Sequence, residues 1–114
     1  MGNPFTDLHR ANRQHSTIAA ERLARSALMP VREKLENWQR EAARLHGRCF
    51  DLAARHQSCE QLYGEARELA EQATAAMDEA RAFHATHRAS SRFADLELSY
   101  SRLMASIRRL VGDA

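Results

Sequence analysis

Six histidines and two cysteines are the residues of this 114-residue chain best suited to metal or redox chemistry. His84 and His87 stand three apart, close enough on a helix to turn both rings toward one ion, and His56 and Cys59 repeat that spacing. Neither pair has the company a metal centre needs. The chain carries no carboxylate–histidine repeat of the di-iron bundle type and no second Cys/His pair at finger spacing. No metal and no cofactor is therefore expected. On one continuous helix Cys49 and Cys59 would be separated by about 15 Å of rise, beyond the ~7 Å between Cα atoms that a disulfide can span. They read as reduced thiols in a cytoplasmic compartment.

Catalysis finds no foothold in the sequence. There is no glycine-rich phosphate loop, no nucleophile elbow and no Cys-x-x-Cys pair. With only four glycines in the chain, irregular backbone on which to build an oxyanion hole is scarce. No catalytic residue is assigned.

Charge offers more. Arg40, Arg44 and Arg48 follow at four-residue steps with Arg55 beyond them, a basic ridge whose like charges repel on a helix and so do not serve its stability. Residues 58–80 carry the acids Glu60, Glu65, Glu68, Glu71, Asp78 and Glu79 against Arg67 alone. Paired antiparallel with a second copy, the acidic half of one molecule would meet the basic half of the other, which favours a homodimer. A formal net charge of +2 does not announce nucleic acid as partner, and Glu36 and Glu41 flank the ridge. Nucleic-acid binding through Arg40, Arg44 and Arg48 is kept as the alternative reading. Lys34 is the only lysine, an arginine bias of the kind a GC-rich bacterial genome produces.

The elements that position these residues are helical. Hydrophobic residues make up 44% of the chain, aromatics only 6%, and two valines and two isoleucines cannot supply alternating strands. One domain is expected at this length, and no window approaches the roughly 20 apolar residues of a membrane span. Asn3 and Pro4 suit a helix cap and first turn, opening a helix over about 4–29 with a loose stripe of Leu8, Ala11, His15, Ile18 and Leu28. Pro30 predicts a break, with a kinked continuous helix as the alternative. From Val31 a heptad pattern runs to His84, with Leu35, Ala42, Cys49, His56 and Tyr63 among its a positions and Trp38, Leu45, Leu52 and Cys59 among its d positions. The spacing predicts one long helix over about 31–84, continuous through Gly47 and Gly64, which lack turn-forming neighbours. Past Gly64 the d positions are alanine, and Leu62, Leu69, Ala76 and Phe83 form a g stripe, the wider face of bundle packing.

A loop over 85–91 and a third helix over about 91–111 complete the pattern. That helix has the strongest stripe, Phe93, Leu96, Tyr100, Leu103, Ile107 and Leu110, and Gly112 is its stop. The expected fold is an elongated all-α bundle or coiled coil, a long heptad-patterned helix with two shorter helices packed along it. The expected function is non-enzymatic association with a protein partner or a second copy, through Leu35, Trp38, Leu45, Cys49, Leu52, His56, Cys59 and Tyr63, with charged contacts from Arg40, Arg44, Arg48 and Arg55. On that basis Leu45→Asp is expected to dissociate the assembly with helicity retained. A third reading, an amphipathic protein on a membrane or granule surface, rests on the wide stripe of the last helix. In general pattern the chain resembles small helical secretion chaperones, inhibitors borne by phages or plasmids, and assembly adaptors. No motif singles out one of these families.

Overall fold

The computed structural model describes the backbone of residues 4–87 and 90–112 and the side chains of 18–87 and 91–112. The expected cap at Asn3 and the side chains of Leu8, Ala11 and His15 lie outside the described residues. Three helices, α1 (Pro4–Ala54), α2 (Glu60–His87) and α3 (Ser90–Val111), pack as an elongated all-α bundle. The class matches the expectation. Two boundaries do not.

The first concerns Pro30, which lies inside α1 rather than between two helices. A proline there forfeits one backbone hydrogen bond and crowds the carbonyl four residues back, at a cost of about 3 kcal/mol. Both Pro30 and Ser26, whose carbonyl is left unpaired, sit on the exposed side of the helix, where water can satisfy that group. On the opposite side the stripe of Ala24, Leu28, Val31 and Leu35 passes through in phase, 5%, 2%, 8% and 2% exposed. Burial of that stripe offsets the local penalty.

The second correction divides the long helix expected over 31–84. The chain reverses at residues 55–59, away from both Gly47 and Gly64, which lie within α1 and α2 as expected. α1 ends in a Schellman turn: His56 N–H donates to the Ala53 carbonyl at 3.0 Å and Gln57 N–H to the Leu52 carbonyl at 2.8 Å. His56 occupies the left-handed position that glycine usually takes, with φ 56°. Two residues on, the Ser58 hydroxyl accepts from Glu60 N–H at 3.2 Å and caps α2. The order Ser58-Cys59-Glu60-Gln61 carries the spacing of a capping box, a start signal hidden by the apparent heptads around it.

α2 therefore runs antiparallel to α1, and α3 runs parallel to α1. Arg81 meets Glu97 and Thr74 meets Tyr100 between α2 and α3, while Glu21 meets Arg92 and His46 meets Ser106 between α1 and α3. The core joins Leu28, Leu35, Ala42 and Leu45 of α1 to Leu62, Ala66, Ala73 and Met77 of α2 and Leu96, Leu103 and Ile107 of α3. In α2 the buried series is the g and d set, Leu62, Ala66, Leu69, Ala73, Ala76 and Ala80, joined by Met77. That change of phase from α1 is the trace of the chain reversal. Small alanines let α2 lie close to both neighbours. Gly112, at φ 84°, donates its N–H to the Arg108 carbonyl at 2.8 Å and ends α3 as its position suggests.

Candidate protein interface

The heptad residues expected to meet a partner are occupied within the chain. Leu35 and Leu45 are 2% and 0% exposed and Cys59 is 9% exposed, all inside the molecule's own core region. Trp38, Cys49, Leu52 and Tyr63 are half-buried against that core, and His56 is exposed at the turn. The seam that seemed to require a second molecule is filled by α2 and α3, because the chain folds back at 55–59. Leu45→Asp should therefore unfold the protein instead of releasing a partner.

The basic ridge finds its partners mainly on its own helix, and the acidic stretch reaches it through the charge of Glu65 on Arg44. Arg44 pairs with Glu41 through its Nε at 3.1 Å and through its terminal nitrogen. Its guanidinium is held above the ordinary arginine range first by the Glu41 hydrogen bond, with the Glu65 charge from α2 adding. Glu41 is shifted down, chiefly by its hydrogen bond from Arg44, with the Arg44 and Arg48 charges reinforcing it. Arg40 donates to the Asn37 side-chain oxygen. Arg48 and Arg55 make no ion pair among the described residues. His84 and His87 diverge: the first ring stacks on Phe93 at 4.2 Å and the second on Phe83 at 4.4 Å. Among the described residues no group of three or more His, Cys, Asp or Glu gathers as a metal site, and no helix is long and apolar enough to cross a membrane.

Among the described residues the large apolar side chains left exposed are Phe50 near the end of α1, at 76%, and Ile18, Leu23 and Leu98. Among the described residues burial in α1 begins at Ala24; the helix runs back from there to Pro4, about 30 Å at 1.5 Å per residue, with Glu21 reaching Arg92 of α3 at 3.6 Å. Every residue from Ile18 to Leu23 is exposed, with Ile18 at 52% and Leu23 at 47%. Ile18, Arg22, Arg25 and Met29 follow at four- and three-residue steps and so share one face. That face leads into a groove of about 340 Å³ between α1 and α3, lined by Met29, Arg32, Arg92, Leu98 and Arg102 among others, where Leu98 is 51% exposed. On the far side, α2 presents Glu68, Glu71, Ala75, Asp78, Glu79 and Ala82 to solvent. The acids of α2 were legible in the sequence, but the α1 face was not, because the heptad seam absorbed the apolar signal. Ile18 at the end of the loosest stripe was the available clue.

Compared with known protein families, curated proteins and solved structures, the chain matches none.

Proposed function

We propose that the protein is a non-enzymatic association module that pairs with a second copy of itself through the α1 arm. The observation carrying this reading is that α1 is much longer than α2 and α3 and that Ile18 and Leu23, upstream of its buried stripe, are about half exposed. An isolated helical segment of this length is marginal in water, so it gains most from docking. The arm's Ile18, Arg22, Arg25 and Met29 face is basic and apolar, and the outer face of α2 is acidic with small alanines, so each complements the other across two molecules. Such a contact is electrostatic at its rim and weak enough to be concentration-dependent. Binding of nucleic acid through Arg40, Arg44 and Arg48 has less support, since Arg44 is already paired with Glu41.

The test is a charge swap read by sedimentation equilibrium. Arg22→Glu with Arg25→Glu should abolish the dimer, as should Glu71→Arg with Asp78→Arg, and a mixture of the two variants should restore a heterodimer. Unchanged association in both variants would refute the pairing.

A further inference from the structure

Cys49 and Cys59, which a continuous helix would hold far apart, are adjacent because the chain reverses between them. The Cys59 thiol donates to the Cys49 backbone carbonyl at 3.4 Å, so its sulfur already lies against the residue that bears the other thiol. Both are free. Cys59 is 9% exposed at the start of α2, whereas Cys49 is half-buried near the end of α1. The backbone between them is fixed by the Schellman turn and the Ser58 cap rather than left to fluctuate.

We propose that Cys49 and Cys59 are a reversible oxidation site, closing to an intramolecular disulfide that staples the α1–α2 turn. The co-reactant is a small disulfide of the glutathione class. The Cys49 thiolate, the more accessible of the two, attacks one sulfur of that disulfide, forming a mixed disulfide and expelling one small thiolate. Cys59, as its thiolate, then attacks the Cys49 sulfur, the protein disulfide forms, and the second small thiolate leaves. The two electrons lost by the protein reduce the small disulfide, and the two thiol protons end on its two products. The Cys49 thiol is the foremost cause of the upward pKa shifts of both Cys59 and Tyr63. A Cys59 thiol held protonated makes the second step the slower one near neutral pH.

The site is independent of the α1 arm, which lies at the opposite end of the bundle. To test it, the full chain is incubated with oxidised glutathione and followed by intact mass, iodoacetamide labelling and thermal melting. The expected product is a chain lighter by two hydrogens, with neither cysteine open to alkylation. Its melting temperature should rise by at least about 4 °C, and dithiothreitol should reverse the change. Cys59→Ser should stop at the glutathione adduct on Cys49, and Cys49→Ser should stay unmodified over the same period. A wild-type chain that stops as a stable glutathione adduct, or that crosslinks between molecules instead, would overturn the proposal.

Discussion

At the residue scale, burial decides what each side chain can do. Leu45 is fully enclosed, so Leu45→Ala should cost about 2–5 kcal/mol of stability and lower the urea midpoint without changing any association constant measured on the folded fraction. His46 had no role in the sequence, yet it links α1 to α3. A carbonyl can only accept, so its Nε2–H donates to the Ser106 backbone oxygen at 2.9 Å, beside the buried Ser106 hydroxyl at 3.2 Å. The partner sits sixty positions away, and no local pattern announces such a bond. Cys59 and Tyr63, each with a raised pKa, favour their neutral forms in the fold. Their contribution to stability is present below the ordinary thiol and phenol values, about 8.5 and 10, and is lost as pH rises through the raised folded values. Melting temperature should thus fall more steeply on the alkaline side in the wild type than in a Cys59→Ala, Tyr63→Phe variant.

At the element scale, the ends of the helices were partly legible. Gly112 stops α3 and Pro4 opens α1 where their chemistry suggests, and the wide stripe of α3 is buried as its spacing requires. The α1–α2 reversal was missed because His56 fills a position that glycine normally marks, and because Cys49, His56, Cys59 and Tyr63 continue the heptad count across a real turn by coincidence of spacing. The phase change from a/d in α1 to g/d in α2 was visible but read as a change of packing. His56→Gly should relieve the left-handed backbone and raise stability by up to about 1 kcal/mol in chemical denaturation. Gly47→Ala should add a similar amount, about 0.5–1 kcal/mol, since a Cβ there meets nothing within 4 Å. Pro30 teaches the converse: a proline on the solvent side of a helix can be carried when a buried stripe runs past it on the other side.

At the scale of the whole molecule, the extents of 79 × 20 × 19 Å reflect a long first helix braced over part of its length by two shorter ones. Within the molecule the charge of Glu65 in α2 acts on Arg44 of α1, and the exposed acids Glu68, Glu71 and Glu79 of α2 are opposite in sign to Arg22 and Arg25, the pairing proposed above. The most direct measurement of self-association is solution mass by size-exclusion chromatography with light scattering, over a hundredfold range of concentration and at two ionic strengths. A dimer that forms with rising concentration and weakens as salt shortens the Debye length below about 10 Å is the predicted result. A monomer at every concentration and both ionic strengths would contradict it.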